Sequence, residues 1–213
     1  YTSVTTLNHA HFEQFDSDRI IDQMMSSRRW ASSKYFGKTK REIKELWTEN
    51  GRIASEAGTK MHLDIEYYYN GAPRQNDTIE YEYFKRFADA HEHLTPYRTE
   101  WCVFDELLRI SGSIDMIFEN PDGTLAIYDW KRSKEIVKVS RFGKFAITPE
   151  ISHLPDTNFW HYALQLNTYR YIIEKNYGKK VTELFLVCLH PDNTNQSYQK
   201  IRVPDLQDEI ADL

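Results

Sequence analysis

The chain has 213 residues with a formal net charge of −5, 40% hydrophobic and 28% charged side chains, enough for one sizeable core with appendages. Its longest apolar runs, such as residues 184–189, are far shorter than a membrane span, so no membrane role is expected. Two cysteines cannot supply a disulfide framework or a four-thiolate cluster, and Cys102 and Cys188, each in a strand-like apolar run, read as buried core thiols. No targeting segment is visible, and the composition suits a reducing, intracellular setting whose compartment the sequence leaves open.

Charge is distributed unevenly. Residues 28–44 carry seven Lys or Arg against one Glu, and residues 131–144 carry six against one, leaving the other 182 residues at about −16 by difference. Two basic blocks on an acidic body point to an anionic ligand met at a defined place; the alternative is a pair of solvated faces.

In chain order, Asp16 or Ser17 caps a helix through about Ser26. Thr39 and Glu42 form a capping box that opens a helical stretch to about Tyr69, either unbroken or as two helices meeting near Gly51. A second long helix is expected over 77–94. The period then becomes strand-like, with strands over 98–110, 112–119 and 124–131, and the basic block follows as a loop or irregular strand. A helix from Asp156 or Thr157 to Lys175, strands over 181–189 and 197–203, and an acidic helix opened by Pro204 complete the chain. The expected fold class is α/β, a central mixed sheet flanked by helices with an N-terminal helical region. One domain over 1–213 is expected: a mainly helical part over 1–95, a sheet core over 96–203, and the start of a C-terminal helix over 204–213. That acidic helix is suited to contact another domain or protein.

Residues 112–131 are the most informative. Pro121, Asp122 and Gly123 suit a type I turn followed by a left-handed glycine bulge, which places Asn120 across from Thr124 and therefore Asp115 directly opposite Asp129. Opposed side chains on a hairpin have Cβ atoms roughly 4.5–5.5 Å apart. Lys131 shares their face, while Ile114, Met116, Phe118, Ala126, Tyr128 and Trp130 form the other. A divalent cation such as Mg²⁺ or Mn²⁺ between the aspartates removes their repulsion, and Lys131 adds positive charge beside a water or phosphate. An acid-x-Lys triplet alone says little, since Glu42-Ile43-Lys44 is another; the hairpin register supplies the specificity.

On the 40–69 helix, His62 and Glu66 lie four apart, His62 suited as a neutral imidazole ligand and Glu66 as a supporting or additional acid. On the 157–175 helix, Gln165 and Tyr169 are likewise four apart, one turn beyond His161, and can orient a phosphate, Lys131 or a water.

In order, Gly58-Thr59-Lys60-Met61-His62, Gly112-Ser113-Ile114-Asp115, Asp129-Trp130-Lys131 and Gln165-x-x-x-Tyr169 resemble the motifs of the PD-(D/E)xK nuclease superfamily, in its RecB-type exonuclease branch. The resemblance spans 58–169, about half the chain. It implies a restriction-endonuclease-like core and Mg²⁺- or Mn²⁺-dependent phosphodiester hydrolysis. His62, Asp115, Asp129 and the Trp130 carbonyl would be metal ligands, Lys131 would position the hydroxide, and Gln165 and Tyr169 would hold the site and the DNA backbone. Glu100 sits where some members place another acid. Without four cysteines the likeness narrows to members lacking an iron–sulfur cluster, such as mitochondrial genome maintenance exonucleases and viral or phage relatives. Ile114 stands where the superfamily name has Pro, which is ordinary in this branch.

The expected partner is DNA, single-stranded or with free ends. Arg132, Lys134, Lys138, Arg141 and Lys144, with Lys38, Lys40 and Arg41 of the first block, would neutralise its backbone. Phe142, Phe145, Trp30, Tyr35 and the run Tyr67-Tyr68-Tyr69 would offer rings for base stacking. An RNA or structure-specific endonuclease on the same fold, and a nucleic-acid-binding module without catalysis, are the competing readings.

Overall fold

The computed structural model describes residues 1–213, which fall into two compact units, Gln14–Lys60 and the remainder. In the smaller unit α2 (Ser17–Met25) is capped by Asp16, whose carboxylate accepts from the Arg19 amide. The capping box at the start of α3 (Lys40–Tyr69) forms as its residues dictate: the Thr39 amide donates to Glu42 and the Glu42 amide to Thr39 Oγ1. Gly51 does not break α3. Aspartates of α2 neutralise lysines of α3, Lys40 with Asp18 and Asp22, and Lys44 with Asp18.

The larger unit is built on a six-stranded mixed sheet. Its strands are β1 (Thr2–Ser3), β2 (Thr95–Asp105), β3 (Ile110–Glu119), β4 (Leu125–Lys131), β5 (Val181–Cys188) and β6 (Gln199–Arg202). One face packs against α1 (Val4–Ala10) and α5 (Asn158–Asn176), with the segment before α6 (Gln207–Asp212) at its edge; the buried residues include Val4, Ile117, Ile127, Leu164 and Leu206. The opposite face packs against α4 (Ile79–Ala90) and the last part of α3, through Met61, Ile65, Phe84, Phe87, Phe118 and Trp130. With both faces covered, β4 and most of β5 are buried along their length, Asp129 included.

The hairpin has the register its turn requires. Gly123 takes φ +80°, its amide donates to Asn120 O, and the ladder runs Glu119↔Leu125 through Met116↔Tyr128. There it stops. On that edge of β3, β1 pairs only with Ile110 and Ser111, so Gly112–Asp115 has no strand beside it, while β4 continues on β5 through Lys131↔Cys188. The two arms part at the residues that carry the carboxylates.

Several expectations are corrected. The strand expected over 98–110 ends at Asp105, whose carboxylate accepts from the Leu108 amide in a tight turn where Arg109 has φ +52°. The last helix begins at Gln207 rather than Pro204, after a turn in which the Asp205 carboxylate accepts from the Gln207 amide. Ile114 packs with Ile117 instead of Met116 and Phe118, the alternation failing where the β3–β4 ladder ends. Cys102 is exposed, because it points to the outer side of β2 while its neighbour Val103 points inward, whereas Cys188 is buried as expected. β1 and α1 were not foreseen: residues 2–10 are too few and too polar to show a period.

Candidate active site

Asp115, Asp129, Lys131 and His62 meet where β3 and β4 part. The Asp115 carboxylate reaches across the gap to accept from the Trp130 amide at 2.9 Å, and its same oxygen lies 3.3 Å from His62 Nε2. His62, near the end of α3, also places Nε2 2.8 Å from the Trp130 carbonyl. Asp129 Oδ2 lies 2.6 Å from Lys131 Nζ in a buried ion pair. Lys131 Nζ also sits 3.4 Å from Gln165 Oε1 and 4.3 Å from the centre of the Tyr162 ring.

The charges divide the two carboxylates. Burial raises Asp129, aided by the Asp115 charge and opposed by Lys131. Burial works on Asp115 too, but its hydrogen bond and charge contact with His62, then Lys131, hold it below the ordinary range. Burial lowers His62, yet Asp115, the Trp130 carbonyl and Asp129 together raise it to about 9. A cation bound between the carboxylates would oppose that rise and favour the neutral ring. Lys131 is likewise raised, Asp129 and Asp115 outweighing its burial.

Gln165 and Tyr169 enter from α5, one turn apart. Gln165 Nε2 donates to Tyr169 OH at 3.1 Å and to Thr5 Oγ1 of α1 at 3.3 Å. Burial pushes the Tyr169 phenol up to about 12, so it stays protonated. Glu100 lies opposite Asp115 in the β2–β3 register, has φ +44° and accepts from Ser113 at 2.9 Å. A left-handed glutamate is uncommon and carries backbone strain. Glu66, one turn beyond His62, is near enough to Glu100 for their charges to interact.

No three His, Cys, Asp or Glu side chains gather as a ready-made metal cage. A Mg²⁺-type site does not need one, since it uses one or two carboxylates with waters and substrate phosphates. Asp115, Asp129 and the Trp130 carbonyl suit such an ion, and His62 Nε2 lies beside two of them.

The basic side chains are less free than their sequence suggests. Arg132 is committed to Glu80 in a largely buried ion pair of 2.7 Å. Lys134 pairs with Asp192, Arg141 with Glu135 and Lys144 with Glu13, all exposed, while Lys138 lies over the Phe159 ring. In the smaller unit Lys40 is paired as described, Arg41 faces Glu45, and Lys38 is exposed. Of the aromatic residues, Phe142 is 88% exposed and Phe145 47%. Tyr68 and Tyr69 are instead core packing, Tyr69 stacked on Trp130, and Tyr67 lies under Arg74. Tyr35 accepts from Trp47, and Trp30 meets Phe36 edge to face.

Thr5, Tyr162 and the Arg132–Glu80 pair escaped the sequence reading. Tyr162 had a signal: it lies three residues before Gln165, hence on the same helix face. Thr5 had none, since its role depends on where α1 packs.

No curated protein matches the sequence. Among solved structures, SSO0001 is similar with a TM-score of 0.40 and 16% identity, over 99% of this chain and 70% of that one. A candidate exonuclease from Eubacterium rectale is similar with a TM-score of 0.45 and 17% identity, over 72% of this chain and 62% of that one. The sequence profile of the PD-(D/E)XK nuclease superfamily matches residues 6–213, and the chain belongs to that superfamily.

Proposed function

We propose that the chain is a Mg²⁺- or Mn²⁺-dependent exodeoxyribonuclease of the RecB-type branch, without an iron–sulfur cluster, acting on single strands or strand ends. The observation that carries this reading is the meeting of Asp115, Asp129, Lys131 and His62 at the parting of the hairpin arms. His62, Asp115, Asp129 and the Trp130 carbonyl would hold the ion, which supplies Lewis-acid charge to the phosphate and a more acidic bound water. Lys131 holds fixed positive charge beside Asp129, where a phosphoryl oxygen or attacking hydroxide gains from it. Gln165 keeps Lys131 directed into the site and is itself fixed by Tyr169 and Thr5. His62 ties the Asp115 carboxylate to the Trp130 carbonyl.

The test is hydrolysis of end-labelled linear and circular single-stranded DNA of equal length with Mg²⁺ or Mn²⁺, beside RNA of the same sequence. Loss of linear DNA with circles intact supports the proposal. Cut circles assign an endonuclease, preference for RNA replaces the substrate, and binding without cleavage in either metal leaves a binding module.

A further inference from the structure

A cavity of 440 Å³ opens beside Lys131, lined by Thr5, Asn8 and His9 of α1 and by Asn158, His161, Tyr162 and Gln165 of α5. This is within the range that small-molecule sites occupy, about 300–1,000 Å³. Two features show that it is built to receive something. Asn8 lines the space and is 3% exposed, and its Nδ2, buried just behind that wall, has no hydrogen-bond partner, so a turn of the amide would present it to a ligand. An unpartnered buried amide lowers stability and calls for an explanation, and a ligand in the adjoining cavity supplies one. The walls are also preorganised: the His161 ring stacks on Phe12 with centroids 3.9 Å apart and is hydrogen-bonded to Asp156, and Tyr162 lies against Lys131.

The lining selects the ligand class. It has aromatic and imidazole faces, neutral amide and hydroxyl groups, Lys131 as its single Lys or Arg, and no carboxylate. A second phosphate would need more cations, whereas a nucleobase needs flat faces and a few neutral hydrogen-bonding groups. We infer that this cavity seats the base of the nucleotide adjoining the scissile phosphate, with the Asn8 amide donating to a ring nitrogen or carbonyl of that base. The inference rests on the nuclease reading above, since it is Lys131 that puts the cavity next to the phosphate.

The experiment measures thermal protection of the intact chain by deoxynucleoside monophosphates and by 2-deoxyribose 5-phosphate, in wild type, Asn8→Leu and His9→Ala. The nucleotides should protect and the sugar phosphate should not. Asn8→Leu should raise the melting temperature of the unliganded chain by removing the unpaired amide, while weakening nucleotide binding about fivefold, the worth of one hydrogen bond. His9→Ala, at an exposed position, should weaken binding without unfolding the chain. Equal protection by sugar phosphate and nucleotides, or Asn8→Leu that lowers stability and leaves binding unchanged, would overturn the inference. A parallel assay separates the two readings. If wild type degrades DNA but cuts strands with a normal or an abasic end equally well, the cavity assignment alone fails; if it cuts no nucleic acid with either metal, the proposed function fails first.

Discussion

Gly112 and Tyr169 are packed so closely that a Cβ on Gly112 would lie 2.6 Å from Tyr169 Cε1 and 2.9 Å from its hydroxyl oxygen. The glycine lies on the stretch of β3 left without a neighbour on one edge, and it lets α5 bring the Gln165–Tyr169 pair down onto the site. Gly112→Ala should displace the ring, costing about 1–3 kcal/mol of stability and lowering turnover through Gln165. Removing the ring as well, in Gly112→Ala/Tyr169→Leu, should recover much of the stability but not the activity. Denaturant melts of the four members of this cycle give the coupling.

Lys131 and Asp129 are bound together in stability as well as chemistry. Lys131→Met leaves a buried carboxylate without its cation and should cost about 3–5 kcal/mol at neutral pH. Acid should lessen the loss, because burial already favours the protonated form of Asp129. In Asp129→Asn/Lys131→Met the stability should largely return while hydrolysis stays absent. Chemical denaturation at pH 5 and pH 7.5 checks both points.

The basic segment after β4 should divide in two. Arg132→Gln breaks the partly buried pair with Glu80 and should show mainly as lost stability. Charge reversal at Lys138, Arg141 and Lys144 should leave the fold intact, raise the Kd for single strands and flatten its dependence on salt by about 0.7 per lost phosphate contact. Unchanged binding after all three reversals would show that this segment is a solvated face and move the strand's route to the block at 28–44. Titrations at several salt concentrations make the distinction.

How far the sequence could be read follows from the range of each interaction. The hairpin was legible because a Pro-Asp-Gly turn fixes register locally, and the observed ladder from Glu119↔Leu125 to Met116↔Tyr128 has that register. The capping box at Thr39 and the i, i+4 pairs on α3 and α5 were legible for the same reason. The parting of β3 from β4 was not, because it depends on β1 taking the edge beyond the gap, a pairing between segments more than 100 residues apart. Nor did the basic blocks disclose their charge partners: Glu80, Asp192 and Glu13 are distant in sequence and close only in the fold.

Asp105 gives a pH dependence away from the site. The Leu108 amide, with Asn176 and Lys175, holds its carboxyl at about 2 against the effect of burial. A lowered folded pKa means that the unfolded chain takes up the proton more readily, so this stabilisation is complete above about pH 4, the ordinary aspartate value. It should disappear as the pH falls toward 2. Asp105→Asn should cost about 2 kcal/mol at pH 7, and the gap from wild type should close between pH 4 and 2. A constant gap across that range would assign the loss to packing rather than charge.

The central claim is that Asp115, at the parting of the hairpin arms, serves the bond-breaking step rather than the fold or the binding of DNA. Single-turnover cleavage of one end-labelled single strand, at saturating enzyme and Mn²⁺, tests it in wild type and Asp115→Asn, with strand affinity measured beside it. The account predicts a fall in the cleavage rate of about 10³-fold or more, as for removal of a group that acts in the transition state, with affinity changed by less than about threefold, under 1 kcal/mol. A variant that cleaves within about tenfold of wild type, a barrier change of only 1.4 kcal/mol, would contradict it.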